Sequence, residues 1–309
     1  MSFDQARMLA DIRRWVEHET PTHEAARVDA LMDLVAGEMA TAGLRVETIA
    51  GREGRGKHLR ARTPWGGDGP GILVLSHLDT VHPVGTLGST LPCRIEGDRF
   101  YGPGIYDMKG GAYLAFAAIR DLLEDGGTTP LPVRFLVVAD EEVGSPTSRA
   151  LIEAEGDRAR HVLVTEPARD GGRCVTARKG TARYVMRLHG RPAHSGGRHQ
   201  DGRSAVKELA RQILALEAMT DYARGVTVNV GVVRGGTAFN VVPEHAEAWI
   251  DVRLPDMAAV AEVLPRVTSV TPQDPDVTLT VEGELNRPPY TKTAATAALL
   301  AHAQRVAAE

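Results

Sequence analysis

The chain has 309 residues, long enough for two domains, and its 43% hydrophobic and 25% charged residues are typical of a globular protein. Its formal net charge of −4 and its scattered Lys and Arg give no reason to expect nucleic acid or an anionic membrane as a partner. No apolar stretch approaches the roughly 20 residues that span a bilayer. The two cysteines lie in separate segments and favour neither a disulfide framework nor a thiolate zinc site. We therefore expect a cytoplasmic protein.

Between residues 3 and 165, segments with helical spacing of apolar residues alternate with short apolar runs. The predicted elements are two helices within 3–42, strands at 44–49, 59–62 and 72–75, a helix at 112–123, a strand at 133–139, a helix at 148–155 and a strand at 161–165. Thr22 is predicted to cap the second helix. This alternation predicts an α/β domain with a doubly wound, mostly parallel sheet that is covered on both faces.

The pattern changes after residue 177, where the order becomes strand–helix–strand–strand–helix–strand. That order is typical of a ferredoxin-like α+β module. Its predicted elements are strands at 183–188, 227–233, 246–252 and 277–281 and helices at 204–219 and 257–267. We place the module at 178–287 and interpret it as an insertion into the first domain. The first domain would then comprise residues 1–177 plus 288–309.

His77 and Asp79 follow the apolar run 72–75, at the C-terminal end of a predicted strand. They are two residues apart and therefore lie on the same side of the chain. A histidine beside a carboxylate is a common metal-ligand arrangement, because one ring nitrogen binds the ion while the other donates to the acid. A lone histidine is more often a core residue, but this pairing at a strand end favours a ligand.

Three more acidic segments follow: Asp107 in a glycine-rich loop, Glu141–Glu142 after the strand at 133–139, and Glu166 after the strand at 161–165. Ligands bind outside the carboxyl ends of parallel strands, where two of these segments are predicted. Four acidic segments at one edge would repel each other unless cations lie among them. Carboxylates with an imidazole suit zinc, and also cobalt or manganese, and a shared carboxylate suits two ions about 3.5–4 Å apart.

The sequences of these segments carry a resemblance to a known family. They are Ser-His-Leu-Asp-Thr at 76–80, Gly-Pro-Gly-Ile-Tyr-Asp-Met-Lys-Gly-Gly at 102–111, Asp-Glu-Glu-Val-Gly-Ser at 140–145 and Thr-Glu-Pro at 165–167. Together they resemble the co-catalytic zinc aminoacylase/carboxypeptidase family, which includes glutamate carboxypeptidase, acetylornithine deacetylase and succinyl-diaminopimelate desuccinylase. The resemblance runs in order over nearly the whole chain, and it implies a zinc-exopeptidase-like catalytic fold with two zinc ions.

The resemblance also implies a role for each acidic segment. By this resemblance, His77 and Glu166 bind the first zinc ion and Asp79 orients His77. Asp107 bridges the two ions and Glu142 binds the second one. Glu141 acts as the general base.

The module at 178–287 is similar to the dimerisation or lid domain of that family, which implies a homodimer. His194, in Pro-Ala-His-Ser-Gly, matches a histidine that reaches a neighbouring active site and stabilises the oxyanion. Asn240, in Gly-Gly-Thr-Ala-Phe-Asn, and Arg253, in Asp-Val-Arg, match segments that hold the carboxylate of the substrate. A planar guanidinium suits this role because it pairs with a carboxylate at two points.

The sequence departs from the family pattern at its end. Family members carry a further segment with a final histidine that ligates the second metal, and no segment here matches it. His302 is interpreted as a helix-surface residue. We therefore expect a version of the family that lacks its C-terminal segment. It would keep one strong metal site at His77, Asp107 and Glu166 and a weak one at Asp107 and Glu142, since three protein ligands is the usual minimum for catalytic zinc.

The implied activity is metal-dependent hydrolysis of an amide bond in a small peptide or N-acyl amino acid, with release of an amino acid that has a free carboxylate. Segments 81–85 and 94–97 favour glutamate carboxypeptidase-like members. An N-acyl-amino-acid deacylase of the acetylornithine or succinyl-diaminopimelate type is the alternative. A different class also stays open, a non-catalytic relative that acts as a dimerising or binding module. The missing histidine favours that class, while the intact Glu141 disfavours it.

Overall fold

The structure, a computed structural model, describes residues 4–308. It divides into two compact units, the first ending at Ala168 and the second beginning at Arg169. The domain arrangement of 1–177 plus 288–309, with an insertion at 178–287, stays a prediction. Within the described residues, no helix is both long and apolar enough to cross a lipid bilayer.

The first unit contains the predicted alternation of helices and strands. Its elements are α1 (Gln5–Val16), α2 (Ala25–Thr41), β1 (Arg45–Ile49), β2 (His58–Arg62), β3 (Gly71–His77), β4 (Arg94–Glu96), β5 (Arg99–Tyr101), α3 (Gly110–Glu124), β6 (Val133–Val138), α4 (Arg149–Asp157) and β7 (Ala159–Val164). Each begins or ends within a few residues of the apolar pattern that predicts it, except the β4–β5 hairpin, which the sequence pattern did not predict.

The central sheet of this unit has the strand order β1-β2-β6-β3-β7. Strand β3 lies between β6 and β7 and is parallel to both, while β2 is antiparallel to β1 and to β6. Thus β1, β3, β6 and β7 run in one direction and β2 runs in the other. The predicted mostly parallel sheet is confirmed, and the carboxyl ends of β3, β6 and β7 meet at one edge.

Strand β6 is buried along its whole length because its two faces contribute to two different cores. Phe135 and Val137 belong to the core formed with α1, α2 and α3. Leu136 and Val138 face the opposite way and pack with Leu151 of α4. Apolar residues at every position of a strand are typical of a sheet covered on both faces. This double cover holds the strand ends, and the side chains that follow them, in fixed positions.

The second unit has its own antiparallel sheet. Its elements are β8 (Gly180–His189), α5 (Ala205–Glu217), β9 (Thr227–Gly235), β10 (His245–Leu254), α6 (Met257–Thr268), β11 (Thr278–Arg287) and α7 (Ala294–Ala307). The strand order is β11-β8-β10-β9, with every pair antiparallel. The predicted ferredoxin-like arrangement is confirmed, with one core between the sheet and helices α5 and α6.

Strand β11 is longer than the prediction of 277–281. Its polar continuation, Glu282 to Glu284, still pairs with β8. Gly283 lies so close to β8 that a Cβ atom there would collide with the carbonyl oxygen of Arg183. Pairing with a neighbouring strand therefore extends β11 beyond the apolar residues that indicate it in the sequence.

Candidate metal centre

His77 is the last residue of β3 and its side chain is 1% exposed. Its Nδ1 atom lies 2.9 Å from the backbone oxygen of Asp79 and 3.4 Å from Oδ1 of the same residue. Because a carbonyl oxygen only accepts hydrogen bonds, Nδ1 carries the proton and donates it. In the neutral ring the Nε2 atom, on the other side, would then present its lone pair to a cation.

Asp79 is fully buried and connects three segments of the first unit. Its Oδ2 atom accepts a hydrogen bond of 2.8 Å from the hydroxyl of Thr22. The backbone amides of Glu141 and Glu142 donate to Oδ1 and Oδ2, each over 3.3 Å. Asp79 thus contacts the imidazole of His77 mainly through its backbone oxygen and holds the acidic turn after β6 through its carboxylate.

Thr22 does not cap α2, and that prediction is wrong. The residue at the cap position is Glu24, which makes no side-chain capping hydrogen bond. Thr22 belongs instead to a short segment that lies beside the end of β3: its amide donates to the Thr80 carbonyl, and the amide of Thr80 donates to Thr20. Sequence reasoning missed its contact with Asp79, because the two residues meet only through this non-local pairing.

Asp107 lies in the loop between β5 and α3, and its Oδ1 atom is 3.1 Å from Nε2 of His77. Gly104 opens this loop with a φ of 69° and touches Thr80 so closely that a side chain would not fit. Lys109 closes it: its ammonium group is buried and donates to the carbonyl oxygen of His18 over 2.6 Å. Burial lowers the pKa of Lys109 to about 7.

Glu166 follows β7 and brings a second carboxylate to His77, with Oε1 at 3.7 Å from Nε2. The preceding residue, Thr165, is fixed to β3 by its amide, which donates to the carbonyl of Leu75, and by a 2.8 Å hydrogen bond between its hydroxyl and that of Ser76. Gly111, at the start of α3, packs directly on the carbonyl of Thr165 and leaves no space for a Cβ atom. The loop of Asp107 and the strand of Glu166 are therefore in close contact.

Glu141 and Glu142 form a single helical turn after β6, and both are partly buried. The turn is anchored by Asp140, whose carboxylate accepts hydrogen bonds from Thr147 and Ser148 at 2.5–3.2 Å. Burial alone would raise the pKa of Asp140, but these hydrogen bonds lower it. The acidic pair is thus held by Asp140 on one side and by Asp79 on the other.

His77, Asp107 and Glu166 each offer one atom, and these atoms all lie within 4.8 Å of one another. The separations of 3.1 and 3.7 Å from Nε2 to the two carboxylates bracket the about 3.3 Å between neighbouring ligands of a tetrahedral zinc ion. One imidazole with carboxylates suits zinc, cobalt or manganese. These three residues therefore fit a divalent cation. Glu142 is not part of this cluster but lies close enough to interact with it electrostatically.

The charges of this cluster shift its pKa values strongly. Burial and the neighbouring Asp107 raise the pKa of Glu166 to about 7, and burial with Asp107 and Asp79 raises that of Glu142 to about 7. Burial alone would lower the pKa of His77, but hydrogen bonds to Asp107 and Asp79 raise it to about 11. Nearby carboxylates contribute to all three shifts, and a divalent cation would offset their negative charge.

His194 lies in the second unit, on an exposed loop. Its Nδ1 atom accepts hydrogen bonds from the backbone amides of Gly196 and Gly197, at 3.1 and 3.2 Å. Since Nδ1 accepts, the proton of the neutral ring is on Nε2, which can then donate to an external group. The loop is paired with the segment that contains Asn240, because the amide of Ser195 donates to the Asn240 carbonyl over 3.0 Å.

Arg253 is on β10 and its guanidinium is already engaged. It donates to both carboxylate oxygens of Asp251, at 2.6 and 3.1 Å, and to the hydroxyl of Thr181 at 2.8 Å. A guanidinium has five N–H groups. Arg253 therefore retains donors for a further carboxylate while Asp251 fixes its orientation.

Comparisons with known proteins agree with this architecture. Residues 176–273 match the family model of the M20 peptidase dimerisation domain. Carboxypeptidase G2 of Pseudomonas sp. (strain RS-16) is 29% identical over 263 residues, which cover 81% of this chain and 60% of that protein. A peptidase M20 domain-containing protein of Schizosaccharomyces pombe (strain 972 / ATCC 24843) is 30% identical over 191 residues, covering 59% of this chain and 44% of that protein.

These matches indicate similarity to the M20 peptidase family. The crystal structure of aminopeptidase PepT from Bacillus cereus ATCC 10987 has the same fold, with a TM-score of 0.78 at 23% identity over 94% of this chain and 78% of that one. The chain spans 60% of the length of carboxypeptidase G2. Its match to the dimerisation domain includes His194, Asn240 and Arg253, whereas the cluster around His77 lies in the first unit.

Proposed function

We propose that this chain carries the metal-binding part of a hydrolase that cleaves an amide bond and releases an amino acid with a free carboxylate. The observation that carries the proposal is the convergence of His77, Asp107 and Glu166 around one point. The buried Asp79, which holds both His77 and the turn of Glu141, gives this cluster a fixed geometry.

The cation that we propose is zinc, with cobalt or manganese as chemically equivalent choices. When bound, such an ion supplies Lewis acidity and lowers the pKa of water toward about 7. His77, Asp107 and Glu166 would hold one ion tightly. Asp107 and Glu142 would hold a second one more weakly, because among the described residues this pair has no third ligand beside it.

We assign the general base to Glu141. Its backbone is held by Asp79, and its side chain is only partly buried and lies next to the ligand cluster. In this role it takes a proton from the attacking water and passes the proton to the leaving nitrogen. Asp79 acts as a positioning residue, since its carboxylate is saturated by Thr22 and by the two backbone amides of the acidic turn.

The second unit would contribute to substrate recognition. We propose that the Nε2–H group of His194 donates to the oxyanion of the tetrahedral intermediate, from a partner subunit in a homodimer. Arg253 would pair with the carboxylate of the substrate through the donors that Asp251 leaves available, and Asn240 would add a side-chain amide. The match to a peptidase dimerisation domain supports the homodimer.

The similarity to carboxypeptidase G2 supports a glutamate carboxypeptidase-like specificity for the proposed reaction. The test is an assay of the zinc-loaded chain with two sets of substrates, peptidyl or folate-like glutamate amides and N-acetyl or N-succinyl amino acids. We expect metal-dependent release of glutamate from the first set and little turnover of the second. Faster turnover of the second set would instead identify a deacylase. Tight metal binding without turnover of either set would overturn the catalytic proposal and favour a binding module.

A further inference from the structure

A second group of potential metal ligands lies in the other unit, on the exposed face of its sheet. His189, the last residue of β8, is paired directly opposite His245, the first residue of β10. Their Nδ1 atoms are 3.2 Å apart and their ring centroids 4.8 Å apart. Glu244 adds a carboxylate, with Oε1 at 3.8 Å from Nε2 of His189 and Oε2 at 3.6 Å from Nε2 of His245.

We propose that His189, Glu244 and His245 form a binding site for a divalent transition-metal ion, separate from the cluster around His77. One ligand atom from each of the three lies within 4.8 Å of the other two. The residues come from neighbouring strands, so a bound ion would link β8 to β10 at the end of the sheet. The proposal does not depend on the hydrolytic function argued above.

The donor set determines which ions would bind. Two imidazoles with one carboxylate are the protein ligands of many zinc sites, and neighbouring ligands of tetrahedral zinc are about 3.3 Å apart, close to the 3.2 Å between the two Nδ1 atoms. Imidazole nitrogen favours zinc, nickel and copper over magnesium and calcium, which prefer oxygen. A site with these ligands would therefore select a transition metal.

The backbone around the site is already fixed, which lowers the cost of assembling the ligands. The amide of Gly190 donates to the carbonyl of Glu244 over 2.7 Å, one residue beyond the pair of histidines. On its other side, His189 is paired with Thr278 of β11. The histidine side chains are therefore presented from regular strands and not from mobile loops.

Arg187, two residues before His189 on β8, does not oppose the binding of a metal. Its guanidinium is 2.7 Å from Glu282 and 3.9 Å from Glu247, so its charge is compensated. Glu244 and His245 also line a cavity of about 350 Å³, together with Arg187 and Arg234. Water or a small anion has room there to complete the coordination of the ion.

The test counts metal ions in matched variants of the full chain. Wild type, His245→Ala, Glu244→Gln and His302→Ala would be dialysed against buffered zinc, and bound zinc measured by mass spectrometry. His302 is the control, because it is an exposed histidine on α7 and, among the described residues, it belongs to neither group of potential metal ligands. We expect His245→Ala to bind about one ion per chain fewer than wild type and His302→Ala to bind the same number.

A second comparison separates the two sites. In a His77→Ala background, which weakens the first-unit cluster, His245→Ala should remove a further ion and abolish the remaining zinc-induced rise in melting temperature. Circular dichroism would establish that each variant is folded. Equal zinc content and an equal melting-temperature shift in wild type, His245→Ala and Glu244→Gln would overturn the proposal and leave a hydrogen-bonded histidine pair. The hydrolytic function would be unaffected by that outcome.

Discussion

The hydroxyl of Thr22 donates a 2.8 Å hydrogen bond to Oδ2 of Asp79, so a residue ahead of α2 contacts the buried acid whose Oδ1 atom lies 3.4 Å from Nδ1 of His77. Neither side chain is accessible to solvent, since Thr22 is 4% and Asp79 0% exposed. Hydrogen bonds to ligand-orienting groups commonly change metal affinity as much as the loss of a weak ligand does. This contact therefore offers a way to test the site without removing any ligand.

Replacing Thr22 with Val keeps the size of the side chain and leaves the buried carboxylate of Asp79 one donor short. We expect metal affinity to fall by about 10-fold or more and the free energy of unfolding to fall by about 1–3 kcal/mol. Competition of the protein with a zinc-binding dye measures the first effect, and urea unfolding measures the second. Thr41→Val, at an exposed helix end, is the control and should keep wild-type affinity. Unchanged affinity in Thr22→Val would separate Asp79 from metal binding.

Glu141→Ala should remove turnover and leave the tightly bound ion in place, because Glu141 is assigned to proton transfer and the ion to His77, Asp107 and Glu166. A general base contributes about 10²–10⁴-fold to a rate, so the loss should be at least about 10²-fold. Metal content and single-turnover hydrolysis, measured on the same sample, check both parts. Glu142→Ala provides the contrast, since it should lower the content of the weaker second ion. Turnover by Glu141→Ala near the wild-type rate would exclude Glu141 as the base.

Gly111→Ala should weaken metal binding although Gly111 is not one of the proposed ligands. The new Cβ atom would collide with the carbonyl oxygen of Thr165 and push the start of α3 away from the residue that precedes Glu166. We expect a loss of about 1–3 kcal/mol of stability from overpacking, together with weaker metal binding. Gly37→Ala is the matched control, because this helical glycine has open space around it and its replacement should be neutral or stabilising. Similar behaviour of the two variants would contradict the close contact described here.

The depressed pKa of the Glu208 carboxylate should make the stability of the second unit depend on pH. Burial alone would raise its pKa, but hydrogen bonds from the Gln273 amide, Gln212 and Arg211 lower it below the ordinary 4.5. Because the folded-state pKa is depressed, this stabilisation is complete above the unfolded-state pKa and is lost as pH falls through the folded-state pKa.

The corresponding variant is Glu208→Gln. At neutral pH it should be less stable than wild type by about 1–3 kcal/mol, and the difference should shrink below about pH 4. Urea unfolding at several pH values measures this, and Glu262→Gln is the control, because Glu262 is an exposed partner of Arg224. A difference that stays constant as pH falls well below the ordinary pKa of 4.5 would exclude the Glu208 carboxylate as its source.

Much of this fold can be predicted from the sequence, because the apolar strands and amphipathic helices have distinct periods. Strands β3, β6 and β7 are continuous apolar runs, which indicate a covered parallel sheet. The same argument predicts that the residues after these strands meet at one edge, and the structure brings His77, Asp107 and Glu166 within 4.8 Å there. The assigned roles of these residues stay predictions.

Other features depend on contacts that no local pattern shows. The β4–β5 hairpin consists of strands of three residues each, which are too short to show an alternation of apolar residues. Its turn contains Gly97, which has a φ of 62° that glycine adopts readily. Thr22 meets Asp79 through non-local backbone pairing, and His189 meets His245 through the register of two strands. Positions of this kind follow from tertiary structure and not from the neighbouring residues.

Strand β7 pairs with β3 on one side and, within residues 4–308, has no strand on the other. Its Val162, Leu163 and Val164 are 42%, 43% and 52% exposed. A strand with so little cover opens locally at a low cost in free energy, and its amides exchange with solvent through such openings. Glu166 follows directly, so each opening would separate this ligand from His77. We therefore expect occupancy of the centre and amide exchange at β7 to be coupled: a bound ion would slow the exchange, and fraying of the strand would give the ion a route to leave.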